Sequence, residues 1–180
     1  NWLLRLLPQD YKQSRASFTD ANLGISHQFN EKNSIYLSGY YSKDSFKLNS
    51  DTTYGYNNKN FGVKWKHDFN NKLYGVLSLG TDHYSYNIKS DANPVNAYKL
   101  DFDINQANFK TDFVYNFSNN HIFDFGISSI HYKLRPGSFL PNGPESLVTP
   151  DVVEPEQALE SAIYIGDKYD IGNDLSISAG

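Results

Sequence analysis

One feature constrains this chain more than any other: apolar and polar residues alternate with period two over stretches of ten residues or more, again and again. Successive side chains of a β-strand point to opposite faces, so such alternation describes a strand with one apolar and one polar side. Between Ser17 and Phe29 the odd positions include Ala21, Leu23, Ile25, His27 and Phe29, while Asp20, Asn22, Ser26 and Gln28 hold even ones. From Asn60 to Phe69 the odd positions are Phe61, Val63, Trp65, His67 and Phe69, set against Gly62, Lys64, Lys66 and Asp68. Leu73, Gly75, Leu77 and Leu79 repeat the pattern, as do Phe123, Phe125, Ile127 and Ser129. A weaker version runs through Ile35, Leu37, Gly39 and Tyr41, with Tyr36 and Tyr40 on the opposite parity.

Eight strands are expected: 16–29, 34–47, 59–69, 72–87, 98–117, 121–134, 156–169 and 174–180. The last runs up to Gly180 and reads as a strand that continues further. Within 98–117 the apolar phase shifts from even (Leu100, Phe102, Ile104) to odd (Phe109, Phe113, Tyr115, Phe117). One extra residue near Gln106 restores a single apolar face, so a β-bulge is expected there.

The connections alternate in length. Asn30-Glu31-Lys32-Asn33, Asn70-Asn71, Ser118-Asn119-Asn120 and Asp170-Ile171-Gly172-Asn173 are short and polar. Asn, Asp and Gly suit such turns because they tolerate left-handed backbone. Long connections are expected near 48–58, 88–97 and 135–155. Short turns on one side and long loops on the other are the habit of antiparallel transmembrane barrels, whose turns are periplasmic and loops extracellular.

A soluble antiparallel sheet with one wet face also alternates. Three observations favour the membrane barrel. Several strands exceed the ~5–6 residues usual in globular proteins. The polar parity carries Lys64, Lys66, Asp82, Lys110, Asp112 and Asp124, which suits a hydrated lumen. Tyr, Phe and Trp make up 16% of the chain, and Phe29, Phe69, Tyr74, Tyr84, Tyr86, Phe117, Tyr132 and Tyr169 fall near strand ends, as in the aromatic girdles at membrane interfaces. No run of about 18 apolar residues exists to form a transmembrane helix. The negative mean hydropathy of −0.59 is compatible with a barrel, because alternating strands average out.

Catalytic and nucleotide-binding motifs are absent, so neither enzymatic activity nor a cofactor is expected. With a net charge of −4 and no basic run, nucleic acid is not an expected partner. The five histidines show no metal-ligand spacing; they suit interfacial or solvated positions. Asp20, Asp82, Asp112, Asp124 and Glu160 share the polar parity and read as solvated lumen groups or contacts to an enclosed plug. Recognition chemistry is expected in the loops: Tyr54 and Tyr56 in one, Tyr84 and Tyr86 leading into another, Arg135 and Phe139 in a Pro-rich third. Prolines at 136, 141, 144, 150 and 155 restrict that third loop, which favours an ordered one.

Several stretches resemble barrel segments of TonB-dependent receptors of the Bacteroidetes type, which carry an N-terminal carboxypeptidase-regulatory-like domain. They are NWLLRLLP (1–8), NFGVKWKHDFNNKLYGVLSLG (60–80), NPVNAY (93–98), DFGISS (124–129), QALESAIYIGD (157–167) and LSISAG (175–180). The resemblance implies a 22-stranded barrel in the outer membrane of a Gram-negative bacterium, of which these residues form about eight strands. It also implies a plug and a TonB-contacting segment outside this stretch, and import of a ligand captured by external loops. A structural or docking barrel within a larger assembly, with a surface lipoprotein or another outer-membrane protein as partner, is the alternative.

Overall fold

The computed structural model describes residues 14–47, 52–172 and 174–180. They form a single antiparallel sheet: β1 (Arg15–Asn30), β2 (Asn33–Lys47), β3 (Thr52–Asn70), β4 (Leu73–Ser90), β5 (Tyr98–Asn116), β6 (His121–Pro141), β7 (Asp151–Val152), β8 (Glu156–Ile171) and β9 (Leu175–Ala179). Neighbours in sequence are neighbours in the sheet from β1 to β6, followed by β8 and β9; β7 folds back on β6. A short 3₁₀ helix, Pro94–Asn96, lies between β4 and β5. The 1–8 stretch, residues 48–51 of the first expected loop and Asn173 fall outside the described residues.

The short turns are built alike. After Phe29, the Asn30 side-chain oxygen accepts from the Lys32 backbone N–H at 3.0 Å and the Asn33 amide at 2.9 Å. After Phe69, Asn70 accepts from the backbone N–H groups of Lys72 at 2.8 Å and Leu73 at 3.1 Å. After Phe117, Ser118 Oγ takes the same part toward Asn120 and His121. A short side chain thus satisfies the backbone donors that reversal leaves open. The pairing register slips by one at Phe29 and again at Phe69.

Cross-strand register defines rows that run across the sheet. Near the turns the odd-parity face is apolar. One row joins Ile25, Leu37, Val63, Leu79 and Phe109; the next joins His27, Ile35, Trp65, Leu77, Thr111, Ile127 and Ile163. None of these side chains is buried, and several are largely open: Ile163 is 84% exposed and Ile25 52%. The opposite face at the same height carries charge, with Lys66 Nζ 3.2 Å from Asp68 and Lys110 Nζ 2.7 Å from Asp112. Apart from Ala97, no apolar side chain among the described residues is buried. A wall one strand thick has no core of its own; whatever solvates its apolar side replaces one.

Beyond this turn half the strands continue into a loop half, and the faces exchange character. The expected bulge near Gln106 is absent. β4 and β5 pair without interruption from Leu73↔Tyr115 to Ser90↔Tyr98, through Asp82↔Gln106. Leu100, Phe102 and Ile104 therefore lie on the face opposite Phe109 and Phe113. The phase shift marks a reversal of which side is apolar, not an inserted residue. The register irregularity of β5 lies higher, where Phe102 alone is opposed by Pro136 and Gly137 of β6. Gly137 adopts φ +155°, and Pro136 has no N–H to lose, so a bulge accommodates both.

Strands are longer than expected at the loop end. Tyr54 and Tyr56 belong to β3, Tyr84 and Tyr86 to β4, and Arg135 and Phe139 to β6, so none of the six lies in a loop. The aromatic girdle is also corrected. A dense one exists on the odd face at the turn end: Phe69 meets Phe113 at 6.2 Å, Phe113 stacks on Phe125 at 5.3 Å, and His121 stacks on Tyr169 at 4.4 Å between ring centres. Tyr74, Tyr84, Tyr86 and Tyr132 have even parity and face the other way, so they form no second girdle on that surface.

Candidate functional site

The even face of the loop half gathers the sheet's second aromatic surface. Register aligns Phe46, Tyr54, Ile88, Leu100 and Phe139 in one row across five strands, and Tyr56, Tyr86 and Phe102 in the row below. Phe46 stacks on Tyr54 at 4.9 Å, Tyr56 on Tyr86 at 4.9 Å, and Tyr98 meets Phe139 at 5.1 Å. The first two are directly paired positions, whose Cβ atoms in an antiparallel ladder are ~5 Å apart; Tyr98 and Phe139 are diagonal neighbours, still within reach of aromatic side chains. Burial, then the neighbouring Tyr56 and Tyr54 phenols, hold the Tyr86 phenol above its ordinary pKa, so it stays a neutral donor at physiological pH.

Below the rings the same face turns polar. Asp82 accepts hydrogen bonds from the side-chain amides of Asn60 and, at 3.2 Å, Asn108. A depression of about 380 Å³ lies at this boundary, lined among others by Tyr40, Asn58, Asn60, Asp82, Tyr84 and Gln106. Rings above and amides with a carboxylate below offer stacking and directional hydrogen bonds side by side. Among the described residues no group of three or more His, Asp or Glu side chains is placed to hold a metal ion.

Five of the six residues singled out from sequence, Tyr54, Tyr56, Tyr84, Tyr86 and Phe139, share this face. Arg135 does not. It lies on the odd face, where its Nε is 2.8 Å from Asp103. Phe46, Ile88, Leu100 and Phe102 belong to the patch and were missed. Their signal was present: in β3, β4 and β5 alike, apolar residues move from odd to even parity at the same height.

The long connections pack on one another. The Ala97 carbonyl accepts from Asn142 N at 3.0 Å and Ser146 Oγ at 2.6 Å, and the Val95 carbonyl accepts from Leu147 N at 2.9 Å. Val153 N donates to the Gly137 carbonyl at 3.0 Å. The segment after β6 is thus tied down over the β4–β5 connection, at the rim of the aromatic patch.

No protein-family model and no curated protein matches the chain. Solved structures do. BauA, the ferric preacinetobactin receptor of Acinetobacter baumannii, matches over 89% of this chain with a TM-score of 0.64 and 12% identity. The translocator domain of the autotransporter NalP from Neisseria meningitidis matches over 89% with a TM-score of 0.54 and 10% identity. This chain spans 32% of the BauA chain and 56% of the NalP domain. At such identities the likeness is one of fold. The sheet has the fold of an outer-membrane β-barrel wall: antiparallel, meandering, and apolar on one face beside the turns.

Proposed function

We propose that these residues form part of the barrel wall of an outer-membrane TonB-dependent receptor, of the Bacteroidetes type that the sequence resembles. In this reading the protein imports a ligand, performs no catalysis, and couples to TonB through segments outside this stretch. The observation that carries the reading is the exchange of faces. The odd face is apolar from Phe69 to Phe61; at ~3.3 Å per residue and a tilt near 40° that spans roughly 20 Å, close to the ~25 Å lipid-facing band of outer-membrane barrels. The strands then continue beyond it and turn aromatic on the even face, which in a barrel is the lumen side. A receptor needs an apolar and polar surface inside its external mouth, and this is where one lies. Both sheet edges, β1 and β9, are unpaired among the described residues, which fits a wall completed by further strands.

The test uses the full-length protein with Tyr56→Ala and Tyr86→Ala combined. We expect normal surface assembly and loss of ligand uptake by energised cells. Normal assembly with unchanged uptake would remove the patch from the recognition site. Uptake absent even from the unaltered protein would favour the docking or translocator role that the likeness to NalP keeps in view.

A further inference from the structure

We infer that the ligand taken by the aromatic patch is an organic cation, an ammonium or guanidinium group on an apolar or aromatic frame. The inference deepens the receptor reading above and rests on it, in that the even face is the ligand's side of the wall.

Charge in the loop half is sorted by face. The even face carries Asp20, Asp44, Asp82 and Glu156, with Glu160 one row below. The nearest cations on that face, Lys64 and Lys110, lie two rows beneath Asp82. Above them, among the described residues, the even face holds no lysine, arginine or histidine. The cations of the loop half, from Lys43 and Lys59 to Lys133 and Arg135, are all on the other face. None of the five carboxylates makes an ion pair among the described residues. The rim repeats the sign. Residues 142–155, tied down beside the patch, include Glu145, Asp151 and Glu154 and no basic residue, and Asp151 stands opposite Phe139.

Carboxylates gathered on one surface without partners repel one another, and a surface of one sign concentrates the opposite charge. The rings give that attraction a place to act. Tyr40, Asp82 and Tyr84 line the same depression of about 380 Å³. Tyr40 is 41% exposed. Asn60 and Asn108 each donate to Asp82, which uses two of the roughly four acceptor positions of a carboxylate. The others remain for N–H groups of a ligand. A cation over a tyrosine ring is drawn to its negative face, and Asp82 supplies the counter-charge beside it. Two rows higher, Asp44 stands directly opposite Tyr56, the tyrosine that stacks on Tyr86. Carboxylate and phenol thus lie side by side at both levels of the patch, and the apolar rows through Leu100 and Phe102 lie next to them for the rest of the ligand. A neutral ligand would use the rings and amides but would leave the sorting of charge without a purpose.

The test uses three fluorescent probes that share a dansyl group and alkyl linker and end in an ammonium, an acetamide or a carboxylate. Each is titrated by anisotropy against the full-length protein in neutral detergent, with protein-free micelles as the baseline. We expect the ammonium probe to bind at least about tenfold more tightly than the acetamide, and the carboxylate probe to bind weakest. The combined variant Asp44→Asn, Asp82→Asn should lose that preference, because asparagine keeps the shape and an acceptor oxygen but not the charge. Removing equal charge elsewhere, by Glu31→Gln and Asp101→Asn, should leave it intact. Equal affinity for the three probes, or an unchanged preference in the Asp44, Asp82 variant, would overturn the inference. Should that variant fail to assemble, the unaltered protein decides: the preference for ammonium over acetamide must shrink as salt is added, and a salt-independent preference contradicts the proposal. Uptake of the same probes by energised cells separates the two readings. Preference without import refutes the receptor and leaves the cation site standing, whereas import without preference refutes only the cation site.

Discussion

The turn half and the loop half of this sheet are made of the same strands, yet their faces are reversed. Near the turns the odd side is hydrocarbon and aromatic, while the even side carries Lys66–Asp68 and Lys110–Asp112 pairs. Toward the loops the odd side is basic and amide-rich, while the even side holds stacked rings from Phe46 to Phe139. No strand from β3 to β5 breaks its pairing register at the exchange. A sheet with one apolar face throughout needs only one solvent boundary along its length. A sheet whose faces trade character needs two environments stacked along the strand; in the proposed barrel these are lipid beside the turns and water beside the loops. Backbone geometry is indifferent to this change; only the parity of the side chains records it.

Charge placement breaks the comparison hardest. Leu77→Arg puts a cation on the lipid side of the belt and should cost about 2–4 kcal/mol near the bilayer midplane. Ser78→Arg, one residue on and facing the lumen, should cost less than about 1 kcal/mol. Urea titrations in lipid vesicles measure both; the reverse order would exchange the face assignment.

Packing on the even face of the turn half comes next. A Cβ on Gly126 would stand 2.0 Å from the Thr111 carbonyl and 2.4 Å from the Tyr164 hydroxyl, whereas one on Gly24 meets nothing within 4 Å. Tyr164 lies across that glycine and donates to Thr111 and Asp112. Gly126→Ala should therefore destabilise by about 1–3 kcal/mol, the usual range for overpacking. Gly24→Ala should be neutral within about 0.5 kcal/mol in the same titrations.

The loop half is probed through its rings. A double-mutant cycle of Tyr56→Ala and Tyr86→Ala should give a coupling of about 0.5–1.5 kcal/mol, the range for stacked aromatic pairs. The equivalent cycle of Asn57→Ala and Ser85→Ala, on the opposite face of the same strand pair, should give a coupling near zero. Of similar size, Asn70→Ala removes two turn hydrogen bonds in an exposed setting and should cost about 1 kcal/mol. A chevron analysis of assembly then shows whether the β3–β4 turn forms before insertion.

Much of this was legible in the sequence. Eight of the nine strands follow from alternation, and the short turns follow from the residues after Phe29, Phe69 and Phe117. The ninth strand, β7, is two residues long and too short to show a period. The stretch 48–58 read as a loop between two alternating strands, yet residues 52–58 belong to β3; Asn57, Asn58, Lys59 and Asn60 form the polar rows where the faces exchange. Arg135 read as a partner of Phe139 from proximity in sequence, and period-two geometry with the Pro136–Gly137 bulge places them on opposite faces. The aromatic patch was half visible. Tyr54, Tyr56, Tyr84 and Tyr86 stood out by type, while Leu100 and Phe102 showed only as a shift of parity, which reads equally as a bulge until the β4–β5 register is known.

The chain has no cysteine, so a thiol can be placed at each position of β4 in turn and read singly. Residues 73 to 89 of the full-length protein, reconstituted in vesicles, would be labelled with a fluorophore and exposed to a lipid-borne quencher and a water-soluble one. The exchange of faces predicts lipid quenching at 75, 77 and 79 but not at 74, 76 and 78. It further predicts that at 83, 85, 87 and 89 the odd positions lose lipid quenching and gain aqueous quenching. Lipid quenching that persists at odd positions through residue 89, or that fails to alternate between 74 and 79, would contradict the account.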